Sequence, residues 1–380
     1  MENETPSNPA APPPISPPVP PVPPLPPFSP PPRPTRRSNP IWKILTFTLA
    51  GLLLLVFLNY MLGQFGAFDF GSGTGAQTGR HFEEVVVENN RSGNKVLIVD
   101  VEGIITSQAW DQSGRNMVNL VEDQLKLALR HDDVKAVVLK VDSPGGEVLA
   151  SDDISRAIIN FQKNSGKPVV ASMGGLAASG GYYVSAPCRW IVANELTITG
   201  SIGVIMHSLN FRGLLDKVGV YPQVFKSGKF KDMLSSTKKP EEITPEEQQM
   251  IQSLIDETYE KFKSVVASGR QFSQKENQGS GRSLAQNWVE YADGRVLTGK
   301  QAYDLGFIDE LGNFETAVSR AKKLADIKDA NLVRYLEPFN LANLFNIFGK
   351  SESKMTIDFG VDLPKIEAGR LYFISPTLIH

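Results

Sequence analysis

Sulfur and imidazole are scarce in this chain. A single cysteine, Cys188, excludes an internal disulfide framework and a cysteine-rich zinc site. Four histidines, at 81, 131, 207 and 380, leave little from which to build a histidine-ligated metal centre, and no cofactor is expected. An excess of charge is also missing. The 39 basic and 41 acidic residues leave a formal −2, so no basic field points to nucleic acid. Proline is sparse over most of the chain because 18 of its 27 copies fall within the first 40 residues. The 380 residues are therefore not uniform, and their length suits two or three units.

Residues 1–40 carry runs such as Pro12-Pro13-Pro14 and Pro30-Pro31-Pro32. Proline removes the backbone donor and fixes φ, so a disordered, polyproline-II-rich tail is expected, serving as a spacer or as a docking ligand. Residues 44–62 then run for 19 positions without a charge. As a helix this run reaches about 28 Å, close to the hydrocarbon thickness of a bilayer, so one transmembrane helix is expected over residues 41–62. Arg33, Arg36, Arg37 and Lys43 flank its N-terminal side, against Asp69 and the distant Arg80 on the other. By the positive-inside rule the tail is cytoplasmic and the rest extracytoplasmic, a single-pass protein of the cell membrane in contact with lipid. Trp42 fits an interfacial anchor. A glycine-rich linker follows over residues 63–82.

From residue 83 the pattern becomes α/β. Strands are expected at Lys95–Val101, Val134–Val141, Pro168–Met173, Trp190–Ala193, Ile202–Met206 and Tyr221–Phe225. Helices are expected over Met117–His131, from the Asp142–Gly146 turn to about Asn164, from near Ser179, and over Thr244–Ser268. Strands alternating with helices of this length imply βαβ units and a largely parallel sheet. One domain spanning residues 83–337 is expected, with residues 338–380 as a peripheral extension.

Candidate chemistry lies in two glycine-rich turns. In GGLAASGGYY, Ser179 stands between two alanines and two glycines where a strand meets a helix. Small neighbours and an exposed amide suit a nucleophile, but equally a helix N-cap in a tight turn. In DSPGG, Gly145 and Gly146 follow a strand, either as amide donors or as an ordinary turn. No histidine is well placed as a base except His207. Lysine is the alternative, provided that burial holds it neutral. Lys226, Lys229 and Lys231 are available in KSGKFKDM, which otherwise reads as a solvated loop. Cys188 reads as a small buried hydrophobe, and Asp232 is expected to point away from Lys231.

Residues 95–325 resemble the signal peptide peptidase A family of membrane-anchored Ser/Lys proteases, in its short, single-copy form. SMGGLAASGGYYVS resembles the family's nucleophile segment and places the nucleophile on Ser179. SGKFKDM resembles the SG-x-x-KD segment and places the general base on Lys231, 52 residues later. DSPGG resembles the oxyanion segment, implying the Gly146 amide, with Gly180 as the second donor. TGSIGV matches as well, so the resemblance implies that Ser201 orients the lysine. ADGRVLTGKQAYDLGFIDELG resembles the closing motif.

The resemblance implies a Clp protease/crotonase-like α/β fold of repeated ββα and βαβ units. It further implies a serine endopeptidase that degrades remnant signal peptides at the membrane. A homo-octameric ring with dyads shared between neighbours is also implied. The rival is a non-catalytic, crotonase-like module tethered to the membrane. Such a module would keep the glycines but would not need Ser179, Lys231 and Ser201 together. Acyl-CoA chemistry is disfavoured by an extracytoplasmic site.

Overall fold

The computed structural model describes residues 45, 47–49, 51–54, 82–109, 116–337 and 371–374. The chain divides into two units, Met1–Gln77 and Thr78–His380. In the first, Leu45, Phe47–Leu49 and Gly51–Leu54 are helical with exposed side chains. Among the described residues no helix is long and apolar enough to cross a membrane. The remainder of the expected span, the tail at 1–40 and the linker at 63–81 lie outside the described residues.

The second unit is mixed α/β around a nine-stranded sheet. Its strands are β1 (Glu83–Glu88), β2 (Lys95–Glu102), β3 (Val134–Ser143), β5 (Val169–Ala178), β6 (Trp190–Ala193), β7 (Ile198–Gly200), β8 (Val296–Thr298), β9 (Glu310–Leu311) and β10 (Asn331–Leu336). The main order is β1-β10-β2-β3-β5-β6-β9, with every pair parallel except β1–β10. A short strand β4 (Gly145–Glu147) pairs antiparallel with β11 (Tyr372–Ile374) outside this sheet.

The central strands are apolar at nearly every position because both faces are covered. Alternation sends Leu97, Val99, Val137 and Leu139 into one core and Val96, Ile98, Ala136 and Val138 into the other. Helices α1 (Met117–Arg130), α2 (Val148–Ser165), α3 (Gly180–Ser185) and α5 (Pro245–Glu276) supply residues to the first core. Helix α6 (Phe314–Leu324) covers the second through Ala317, Val318 and Ala321.

β5 forks the sheet. Its first half, Val170–Met173, pairs with β6, and its second half, Leu176–Ala178, pairs with β7. β7 in turn pairs antiparallel with β8. The fork carries the C-terminal end of β5, with Ser179 next, away from β6.

Several elements differ from the sequence expectation. β5 does not stop at Met173 but continues through the glycine pair, whose Gly174 carbonyl is held by Thr197 Oγ1 at 2.8 Å. Ile202–Met206 is not a strand. The positive φ of Ser201, 50°, turns the chain out of the sheet, and Ile205 makes one isolated bridge, to Tyr372. Tyr221–Phe225 is not a strand either. Pro222 lacks a donor and no neighbour pairs with the segment, whose Phe225 is 93% exposed. Residues 145–147 form a strand where a turn was expected. Tyr372–Ile374, expected in a peripheral extension, instead form β11, with Tyr372 and Phe373 buried.

Helix α5 starts where its sequence directs. Thr244 caps Glu247 N, Glu247 reaches back to Thr244 N, and Pro245 occupies the first turn. Its far end is fixed by Arg270, which forms a fully buried ion pair with Asp309. Asp309 also accepts from Ile191 N at 2.9 Å and Arg282 N at 3.1 Å. Removing one partner of such a pair strands the other in the core. Arg270→Leu is expected to destabilise the fold by about 3–5 kcal/mol in urea unfolding. A loss under about 1 kcal/mol would mean that the carboxylate finds water or neutralises at little cost.

Candidate active site

The chain reverses at Ser179, between β5 and α3. Ser179 is 1% exposed and sits at φ 57°, ψ −116°. That region suits glycine, and holding another residue there costs on the order of 1–3 kcal/mol. The conformation is pinned at both ends: Ser179 N donates to Gly200 O, and Tyr183 N donates to Ser179 O, each at 2.8 Å. Ser179 therefore occupies an N-cap position, but its side chain makes no cap hydrogen bond. Its Oγ is buried and has no hydrogen-bond partner. A capping role leaves both facts unexplained.

The flanking glycines are required by close approach. A Cβ on Gly181 would fall 2.8 Å from Ser143 O. On Gly180 it would meet Ser151 Oγ at 2.7 Å and Gly146 N at 3.1 Å. The backbones of β4 and α3 thus touch beside Ser179. Gly145, at φ +101°, is the second point of contact: a Cβ there would lie 2.6 Å from Gly180 N and 1.9 Å from Phe373 O. Along β4, Gly145 O accepts from Ile105 N at 2.9 Å and Glu147 N donates to Ile105 O at 2.8 Å. Strand alternation therefore aims the Gly146 amide at the opposite edge, where Phe373 is its register partner. The Gly146 amide thus faces β11, and the Gly145–Gly146 backbone lies against that of Gly180, next to Ser179.

Ser201 directly follows the Gly200 carbonyl that anchors Ser179. It is 4% exposed, and its N–H donates to Arg295 O at 2.7 Å. The structure so brings together four of the five residues singled out in the sequence: Ser179, Gly180, Gly146 and Ser201.

Lys231 is not brought to them. It is exposed, in a turn where its N–H donates to Gly228 O at 3.3 Å. Among the described residues no hydrogen bond or ion pair joins it to Ser179 or Ser201. Asp232 does point away from it, accepting from Lys226 Nζ at 2.6 Å and lying 3.6 Å from Lys238 Nζ. The Lys226 hydrogen bond holds the Asp232 carboxyl below its usual range. The segment that carries Lys231, residues 206–243, is thinly covered. Helix α4 (Arg212–Lys217) has no buried residue, and Leu209, Leu214, Val218, Tyr221 and Phe225 are exposed. His207, the other candidate base, is exposed too. Cys188 is fully buried, and burial pushes its thiol far up.

The sequence did not single out the wall of the site. Phe373 of β11 packs on Tyr183 and Phe262, with ring centroids 4.9 and 4.7 Å away. Tyr372 lies between two segments, pairing with Glu147 on one side and exchanging hydrogen bonds of 3.0 and 3.1 Å with Ile205 on the other. An extended segment is thereby held against the strand that carries Gly146. The available signals were Phe262 on the apolar face of its helix and the four-residue run LYFI at 371–374.

Comparison with known proteins adds the following. The description "Peptidase family S49" matches residues 161–328, which include Ser179, Ser201 and Lys231. A candidate signal peptide peptidase SppA of Enterococcus faecium is 37% identical over 66% of this chain and 70% of its own length. Protease 4 of Haemophilus influenzae is 34% identical over 65% of this chain, but only 38% of that protein is covered. The chloroplastic serine protease SPPA of Arabidopsis thaliana is 35% identical over 54% of this chain and 28% of that one. The mixed α/β architecture with its large sheet fits the same peptidase fold. The chain belongs to the signal peptide peptidase A family, peptidase family S49, and is a serine peptidase.

Proposed function

We propose that this chain is a membrane-anchored endopeptidase with a Ser/Lys dyad, on a Clp protease/crotonase-like architecture, that cleaves remnant signal peptides at the membrane. The observation that carries it is the buried, unpartnered hydroxyl of Ser179, on a backbone of positive φ beside the closely packed Gly146 and Gly180 backbones. The strand held against β4 supports a peptide substrate, because an extended chain is what that edge accepts. Names such as signal peptide peptidase belong to the relatives, and residues 41–62 supply the anchor that would keep this site near apolar peptides.

In this mechanism neutral Lys231 takes the proton from Ser179 Oγ as the oxygen attacks the peptide carbonyl. The Gly146 and Gly180 amides hold the resulting oxyanion. Collapse breaks the C–N bond, and the lysine's proton goes to the leaving amine. Lys231 then takes a proton from water, which attacks the acyl-serine, and the same proton returns to Ser179 as the acid leaves. Ser201 orients the lysine. Each donor removed from such a hole costs about 2.7–4 kcal/mol of transition-state stabilisation.

Lys231 must arrive from a second copy. The segment around it exposes several apolar side chains, and it leaves its own Ser179 unattended, as expected of an arm exchanged around a closed ring. A homo-octamer with one site per interface is the assembly proposed. The tail at 1–40 would be cytoplasmic and the protease domain extracytoplasmic. The test is a fluorophosphonate, which loses fluoride to an activated serine. Label is expected on the peptide containing Ser179 and absent from Ser179→Ala. Peptidase activity that persists with no label at Ser179 would refute the assignment.

A further inference from the structure

The Gly146 amide is useful only if its direction is fixed, and β4 is three residues long. One edge of it is stitched to Ile105 by the two backbone bonds described above. Ile105 belongs to no strand of the large sheet, and it meets β4 through an isolated bridge to Gly146. Something must therefore hold the Ile105 segment in place.

That something is the side chain of Glu147. It is 6% exposed, and its carboxylate turns back onto the two residues that follow Ile105. Oε1 accepts from Thr106 Oγ1 at 3.1 Å. Oε2 accepts from Ser107 N at 3.1 Å and from Ser107 Oγ at 2.7 Å. Two backbone and three side-chain bonds then join Ile105–Ser107 to Gly145–Glu147. Thr106 Oγ1 also accepts from Gln108 N at 3.0 Å, which stiffens the far side of the turn. The Glu147 carbonyl is used as well, accepting from Ser151 Oγ at 2.9 Å. Ser151 Oγ is the atom that a Cβ on Gly180 would strike. One residue thus ties the segment bearing the first amide to the segment packed against the second.

We propose that Glu147 is a positioning residue for the oxyanion hole: its carboxylate clamps Thr106 and Ser107 so that the Gly146 amide keeps its aim at the reacting carbonyl. This rests on Gly146 being an oxyanion donor. A carboxylate suits the task because it only accepts, and all three partners here donate. Glutamine keeps the shape but drops the charge and one acceptor, so its amide N–H faces the Thr106 hydroxyl, which must reverse from donor to acceptor.

The test uses the full chain, a fluorogenic peptide and a peptide boronate, which forms a tetrahedral adduct with an active serine. Glu147→Gln is expected to lower kcat about 10–30-fold, less than deletion of a donor, with KM within about twofold. Boronate affinity should fall by the same factor as kcat. Ser107→Ala and Thr106→Val should give smaller losses with the same split. The double variant Ser107→Ala/Glu147→Gln should be little worse than Glu147→Gln alone, since both break one clamp. If Glu147→Gln does not fold, the two donor variants carry the test, and each must lower kcat with KM preserved. A loss confined to KM, a loss that follows the folded fraction, or full additivity would overturn the role. A wild-type chain that takes no boronate on Ser179 would overturn the site itself. A wild-type chain that takes it, with Glu147→Gln unaffected, would overturn only the clamp.

Discussion

Ser179→Ala and Lys231→Ala proteins are each expected to lose on the order of 10⁴-fold or more in kcat. The two losses have different structural backgrounds. Ser179 is buried and strained, so alanine removes the proposed nucleophile while keeping the same turn. Lys231 is exposed within its own chain, and among the described residues no hydrogen bond or ion pair engages its ammonium. Its substitution should shift stability by less than about 0.5 kcal/mol. An exposed lysine whose loss abolishes activity without weakening the fold is a base acting elsewhere. His207→Ala is the control, expected to be mild because that imidazole is exposed on the same segment. A dead His207→Ala beside an active Lys231→Ala would transfer the base to histidine.

Mixing the two dead proteins should restore activity. If the lysine arm crosses to the neighbour, some interfaces in a mixed ring pair an intact Ser179 with an intact Lys231. With equal amounts and random assembly, about a quarter of the interfaces are of this kind and about a quarter of wild-type activity should return. The measurement is activity after subunit exchange, alongside mass analysis of the rings. Mixed rings that stay inactive would mean that the arm folds back to its own Ser179. Activity restored without mixed rings would point to a contaminating peptidase.

The parts of the fold that were legible in the sequence are those decided locally. KVLIVDV and VKAVVLKV are dominated by valine, leucine and isoleucine, and both are central parallel strands. Thr244, Pro245 and Glu247 announce the start of α5, and the helix begins there. The site was legible through glycine. Gly145, Gly180 and Gly181 have no room for a Cβ, so close backbone approach left its mark on composition. What could not be read is long-range pairing. Ile202–Met206 and Tyr221–Phe225 read as strands in the sequence, but a strand exists only where an edge is offered, and among the described residues only Ile205 meets one, in a single bridge to Tyr372. β11 failed in the opposite way. Three residues carry no periodicity, and their partner lies more than two hundred positions earlier. Glu147 was hidden because its partners, Thr106 and Ser107, are forty positions distant in a segment of no special composition.

Among the described residues, two of the six non-glycine positions with positive φ are Ser179 and Ser201, at 57° and 50°. Thermal robustness and turnover therefore pull against each other at these positions. Glycine at either one relieves the backbone while discarding the hydroxyl. After the added freedom of the unfolded chain is counted, Ser179→Gly should raise the unfolding free energy by about 1 kcal/mol, while Ser179→Ala should leave it nearly unchanged. The comparison is read in denaturant titrations of the two inactive proteins, and equal midpoints would show that the turn holds no strain. A selection for heat resistance alone would drift toward glycine at 179 and 201 and return a sturdier protein without peptidase activity. The serines would persist only under a selection that also scores cleavage.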